Sequence, residues 1–115
     1  GSGSYNSLGV PMVHYSTEEQ VIGTWIDGKT LYQKNIILMN VSESAQIDIS
    51  ALTPETAFLA EGFIHLSGGT NLGLNEYLSN INYSYCHVYN QKIDCRLAGY
   101  TGDFNIVLKY TKITD

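Results

Sequence analysis

Basic residues are scarce in this sequence: six Lys and Arg stand against eleven Asp and Glu, a net charge of −5 over 115 residues. A protein that grips nucleic acid displaces counterions from phosphates with a basic face, and this chain has too few cations to build one. Charge of either sign is sparse, at 15% of residues where about a quarter is usual. No apolar run approaches the ~20 residues of a membrane span, so membrane insertion is not expected. Nowhere does a helical stripe of apolar residues extend over three turns, which argues against a helical fold. HExxH, CxxC and carboxylate-rich calcium loops are all missing, and no metal or cofactor is expected. The opening Gly1-Ser2-Gly3-Ser4 has neither the charge nor the apolar run of a signal peptide and reads as a cloning scar or flexible linker.

Apolar residues are plentiful, at 43%, and polar character comes from Asn, Ser, Thr, Gly and nine Tyr rather than from charge. That mixture is typical of β-rich extracellular or virion proteins. The length suits one packed core, and residues 5–115 are read as a single domain.

Residues 5–14 show little periodicity and look like an entry arm or one edge strand. From Glu19 the β signal is strong. Val21, Ile22, Thr24, Trp25 and Ile26 run into Asp27-Gly28, and a second β-rich run spans Thr30 to Leu38. An Asp-Gly step between two such runs predicts a hairpin with a loop of two, three or four residues; four would set Trp25 opposite Tyr32. Ser42 to Ala45 reads as a polar turn, Gln46 to Ser50 as a strand with Ile47 and Ile49 on one face, and Thr53-Pro54-Glu55 as a candidate helical turn. Thr56 to Leu66 reads as a long strand, bulged at Gly62. Ser67 to Ser79 is the longest irregular stretch. Tyr83 to Leu97 is a hairpin, and Asp103 to Thr111 a final strand with Phe104, Ile106, Leu108 and Tyr110 on one side. About seven or eight strands with turn signals roughly every 8–12 residues predict an all-β, antiparallel β-sandwich or closed barrel, with a jelly-roll-like sandwich the first choice.

The hairpin around Asn90-Gln91 is the most informative segment. A two-residue turn there sets Tyr89 opposite Lys92, Val88 opposite Ile93, His87 opposite Asp94, Cys86 opposite Cys95 and Tyr85 opposite Arg96. The cysteines then occupy a non-hydrogen-bonded pair, where Cα atoms approach to ~4.5 Å, the short end of disulfide geometry. Two buried thiols beside Val88 and Ile93 are favoured, with a cross-strand disulfide as the alternative. On the opposite face Tyr83, Tyr85, His87 and Tyr89 stand together beside Lys92, Asp94 and Arg96. Such a face suits a sugar, whose CH groups stack on rings while its hydroxyls find donors and acceptors. It equally suits a subunit interface or plain cross-strand stabilisation, with Tyr85 stacked on Arg96. His87 opposite Asp94 resembles a catalytic pair but reads as a surface pair, and no strained nucleophile is marked. Glu61 and Glu76 are the glycosidase candidates, which sequence cannot place. An enzyme is not expected.

The run from Tyr15 through Gln20-Val21-Ile22-Gly23-Thr24-Trp25-Ile26-Asp27-Gly28-Lys29 to Tyr32 resembles a segment of phage and prophage tail-fibre and receptor-binding proteins from viruses of low-GC Gram-positive bacteria. The closing Val107-Leu108-Lys109-Tyr110-Thr111-Lys112-Ile113-Thr114-Asp115 is also similar to how such proteins end. The likeness covers the first third and last tenth of the chain; Met39 to Gly102 has no counterpart. It implies a virion tail-fibre tip or extracellular adhesin, homotrimeric, that binds a bacterial surface polysaccharide or teichoic acid. It carries over no catalytic residue. Trp25, Asp27, Gly28 and Tyr32 match the motif and are read structurally, Asp27 and Gly28 as the turn, Trp25 and Tyr32 as buried area. The alternatives are a structural trimerisation or capping domain, and a monomeric carbohydrate-binding module appended to a secreted enzyme or endolysin.

Overall fold

The computed structural model describes residues 15–115, and the strand backbone of Ser4–Tyr5 (β1) and Pro11–Met12 (β2), which pair antiparallel. The readings of 1–4 as a linker and of 5–14 as an arm lie otherwise outside the described residues. Seven further strands follow: β3 (Gln20–Thr24), β4 (Thr30–Asp48), β5 (Pro54–Leu66), β6 (Asn71–Gly73), β7 (Glu76–Ser79), β8 (Asn82–Tyr89) and β9 (Lys92–Lys112). All pair antiparallel within one sheet, in the order β3-β4-β9-β5-β6, with β7 and β8 joining through β9. The chain is thus the single-domain, all-β antiparallel sandwich expected, and both of its layers are made by one curled sheet.

The curl comes from the two longest strands. β9 begins between β8 and the end of β4, with Ile93 paired to both Val88 and Ile47. It ends between the start of β4 and β5, with Ile106 paired to both Ile36 and Gly62. In the first half the residues that join the central core are odd-numbered, Ile93, Cys95 and Leu97, and in the second half even-numbered, Phe104, Ile106, Leu108 and Tyr110. A strand alternates faces with a period of two, so keeping the core on the inside requires one extra residue at the corner. Gly99, at φ +83°, lies there. On β4 the matching corner has register shifts between Leu38 and Val41 and between Ser42 and Glu43. Asn40 and Glu43 take positive φ, and Asp103 accepts a hydrogen bond from the Asn40 N–H at 2.8 Å.

Two sequence expectations change for this reason. Ser42 to Ala45 does not reverse the chain; its polar residues bend a strand held against β9 on both sides of the bend. Likewise the hairpin strand ending at Leu97 and the strand beginning at Asp103 are one element. The helical turn expected from Thr53 lies just upstream, as a 3-10 turn at Ser50–Leu52, and Pro54 opens β5 instead. In β5 the register slips between Leu59 and Glu61, just ahead of the expected bulge. Within the stretch read as irregular, β6 and β7 form short strands.

The loop left open at Asp27-Gly28 has three residues. The Trp25 N–H donates to Lys29 O at 2.8 Å, the Gly28 N–H donates to Trp25 O at 3.0 Å, and Gly28 sits at φ +89°. This is a tight turn followed by a left-handed glycine, and it sets Tyr32 opposite Val21 rather than Trp25. The Asp27 carboxylate accepts the Lys29 N–H at 3.0 Å, and Trp25, partly buried, packs on Phe58 with ring centroids 5.2 Å apart. Tyr32 stacks on Tyr110 at 5.5 Å, beneath the Lys112 ammonium 4.4 Å from its ring centre. A hydrogen bond to the Asp115 carboxylate pushes the Tyr32 phenol up to about 12.

Tyr110 is fully buried, and its hydroxyl donates to Glu19, which also pairs with Lys112 at 2.9 Å. Desolvation is the largest single influence on the Glu19 carboxyl and raises it. The hydrogen bonds from Tyr110 and Lys112, with the charges of Lys112 and Lys34, together outweigh that and hold it below its ordinary 4.5. A carboxyl depressed on folding stabilises the native state above its unfolded value and loses that contribution as pH falls through the folded one. Glu19→Gln is therefore expected to flatten the loss of stability below about pH 4.5, read from urea midpoints across an acid series. A Cβ at Gly99 would collide with the Asn82 side chain and lie 2.7 Å from the Ile81 carbonyl oxygen, at a φ that L residues avoid. Gly99→Ala is expected to cost about 1–3 kcal/mol in the same urea assay.

Candidate functional site

The hairpin register read from sequence is the register observed. Asn90 and Gln91 both take positive φ, at 50° and 59°, the geometry of a two-residue turn whose twist matches the flanking strands. Tyr83 pairs with Ala98, Tyr85 with Arg96, Cys86 with Cys95, His87 with Asp94 and Tyr89 with Lys92. Alternation then sends Ser84, Cys86, Ile93, Cys95 and Leu97 into the core, while Tyr85, His87 and Tyr89 stand on the outer face. The cysteines are free thiols, both buried, with sulfurs 2.9 Å apart. Contact with Cys95, and then burial, push the Cys86 thiol far above its ordinary value.

Along the strand the rings contact one another. Tyr85 stacks on His87, with centroids 5.5 Å apart and planes 27° from parallel, and His87 meets Tyr89 nearly edge-on at 6.3 Å. Arg96 lies across the ladder from Tyr85 as expected, and the ring of Tyr85 stacks along β8 on His87, not on Arg96 as the cross-strand alternative had it. His87 Nε2 lies 3.7 Å from Asp94 Oδ2, a distance for a loose ion pair and only when the ring is protonated. The other Asp94 oxygen accepts from Gln46 Nε2 at 3.2 Å. His87 and Asp94 thus share no close hydrogen bond.

Tertiary structure widens this face in two directions. On one side β4 pairs Asp48 with Lys92, Gln46 with Asp94 and Ser44 with Arg96. Cross-strand partners share a face, so Tyr89–Lys92–Asp48, His87–Asp94–Gln46 and Tyr85–Arg96–Ser44 form three rows across three strands. Hydrogen bonds from the Ser50 hydroxyl and N–H, opposed by slight burial and helped by Lys92, hold Asp48 below the usual carboxylate range. On the other side β7 pairs Tyr77 with Tyr83 and extends the aromatic column by one ring. Tyr77 is 74% exposed, Tyr89 65% and Tyr85 38%, so the column presents ring surface to solvent.

Ser44, Gln46, Asp48 and Tyr77 escaped sequence reading. Gln46 and Asp48 were visible only as the polar half of a strand. Nothing local says that β4 lies beside β9 in that register. Tyr77 falls where Gly and Asn obscure any strand signal.

Among the described residues, clefts also lie away from this face. One, of about 420 Å³, opens on the outer face of the other layer, lined by Tyr15, Asn35, Glu61, Phe63, Asn105 and Val107. Another, of about 410 Å³, sits at the corner around Ser42, Glu43, Tyr100 and Thr101. The two carboxylates considered for glycoside cleavage have separate duties. Glu61 accepts the Tyr15 hydroxyl at 2.8 Å, and Glu76 accepts the Gly73 N–H at 2.8 Å. Among the described residues no three His, Cys, Asp or Glu side chains gather as a metal site would require.

Because their rings project into solvent, Tyr77→Ala and Tyr89→Ala are each expected to change unfolding free energy by less than about 1 kcal/mol in urea titrations. Cys95→Leu, forced into a fully buried site, is expected to cost about 1–3 kcal/mol in the same measurement. No family model, no curated protein and no solved structure matches the chain.

Proposed function

We propose that this domain binds a glycan of a bacterial cell surface, non-covalently, on the face that carries Tyr77, Tyr83, Tyr85, His87 and Tyr89. The observation that supports this reading is the exposed aromatic column running beside a row of hydrogen-bonding groups, Lys92, Asp94, Arg96, Gln46 and Asp48. A pyranose has an apolar CH face and a rim of hydroxyls; rings take the first, and carboxylate, amide and guanidinium take the second. The low basic content favours a neutral or weakly charged polysaccharide, since a teichoic acid would find only Lys92 and Arg96 as cations on this face. Shallow open sites bind weakly one at a time. The likeness of Tyr15–Tyr32 and of the C-terminal strand to tail-fibre proteins supports a homotrimeric tip in a virion or extracellular adhesin, where several copies raise avidity by roughly 10²–10⁴ without new contacts. Binding, not catalysis, is the activity this surface chemistry favours.

A second reading, a trimerisation or capping domain, draws on a different surface. Ile37 and Phe63 flank Asn105 in register on the outer face of the other layer, 50% and 43% exposed, and Met39 is 62% exposed. Apolar side chains so exposed suit contact with another subunit. The two readings therefore use opposite layers and separate experimentally.

Titration of the domain with purified cell-wall polysaccharide, followed by amide chemical shifts, is expected to perturb the Tyr83–Arg96 hairpin. Tyr85→Ala and His87→Ala should each weaken binding about tenfold or more with the mass in light scattering unchanged. A domain that ignores every polysaccharide but dissociates on Phe63→Ser would establish assembly as its role. A monomer that still binds would assign it to the appended carbohydrate modules.

A further inference from the structure

We propose that Cys86 and Cys95 are a modification site: a thiol pair positioned to close a cross-strand disulfide that clamps the hairpin carrying the aromatic column. The inference is independent of what that column binds.

The backbone supplies the geometry. The Cys86 N–H donates to the Asn75 side-chain oxygen at 3.1 Å, away from β9, as it must at a non-hydrogen-bonded pair, where facing residues come closest. Cα separations of ~4.5 Å at such pairs fall within the range that disulfides span. The side chains already converge, with sulfurs 2.9 Å apart and no other group between them. The chain ends of the hairpin are fixed independently. Asn90-Gln91 closes the turn, and the Ile49 N–H donates to Gln91 O at 3.0 Å. Closing the bond therefore needs little backbone movement.

Access follows from the edge position of β8. Among the described residues this strand is laddered beyond Ser84 to β9 alone, because β7 reaches only as far as the Glu76–Ser84 pair. Local opening of one strand segment exposes Cys86 without unfolding the core. A small disulfide of the glutathione class is the oxidant. One cysteine, as thiolate, attacks it, forming a mixed disulfide and releasing one thiolate. The partner cysteine then attacks the protein sulfur of the mixed disulfide, forming the Cys86–Cys95 bond and releasing the second. The two cysteine protons end on the two released thiols, two electrons pass to the oxidant, and the chain loses two hydrogens. The raised thiol of the closed hairpin makes this slow while β8 stays docked. A reducing compartment keeps the pair as thiols; an oxidising exterior closes it.

The test uses the full chain, reduced and freed of reductant, then incubated with glutathione disulfide in native buffer. The expected product is a chain lighter by two hydrogens and not cross-linked to another, without retained glutathione and unreactive to maleimide. Its Tm should be several degrees above the reduced form, and amide exchange should slow across residues 83–96. Cys95→Ala should stop at a stable mixed adduct on Cys86. Thiols that stay reactive at equilibrium, a persistent glutathione adduct on the native sequence, or an oxidised form with a lower Tm would each overturn the proposal. So would a bond that forms only in denaturant.

Discussion

The pairing of β9 on both edges along nearly its whole length is the constraint on which the rest of the structure depends. A strand of 21 residues cannot stay flat and bury one face in so small a protein. It must turn a corner while both neighbours follow, and the turn must exchange odd for even positions so that apolar residues stay inside. Gly99 lies at the exchange on β9, and Asn40, at positive φ between Leu38 and Val41, lies at it on β4. The two layers of the sandwich are therefore covalently continuous through two strands, and their inward residues form one core from Cys86, Ile93 and Leu97 to Phe104, Leu108 and Tyr110.

The same arithmetic fixes the candidate site. With Cys95 and Ile93 committed to the core, Asp94 and Arg96 have no direction left but outward, and β8 follows in register. The aromatic column, the charged row of β9 and the polar row of β4 are thus one face backed by one packed layer. Tyr85, at the centre of that surface, is flanked along β8 by the buried Ser84 and Cys86, which is the kind of rigid support a shallow binding surface needs. Charge is rationed to match. Lys29 pairs with Glu55 and Lys112 with Glu19 on the other layer, at the end where Tyr32 and Tyr110 stack. Lys92 and Arg96 are the cations in the rows beside the aromatic column.

Legibility tracked the range of the interaction. The Asn90-Gln91 hairpin was readable to the residue, because a two-residue turn and a period of two leave no freedom. The inward run Phe104, Ile106, Leu108 and Tyr110 was legible for the same reason, and all four are fully buried. Polar clusters misled: Ser42 to Ala45 and the segment after Leu97 carry turn composition, yet they bend strands rather than end them. A residue that favours positive φ serves a bulge as well as a reversal, and only the presence of a partner strand on each side distinguishes the two. Tyr77, Ser44, Gln46 and Asp48 were invisible as site residues because their membership depends on which strand lies beside which.

By itself, then, the sequence determined the class of fold, the register of its tightest hairpin, and the division of that hairpin into a face of thiols and a face of rings. These follow from alternation, turn chemistry and the absence of helical periodicity, all of which act within about a dozen residues. Tertiary structure decided that two pairs of apparent strands are single bent strands, that the layers belong to one sheet, and that β4 and β7 complete the outer face. Those outcomes rest on pairings between residues such as Gln46 and Asp94, 48 positions apart. Their register is set by closing the core, a condition on the whole chain that no local stretch contains.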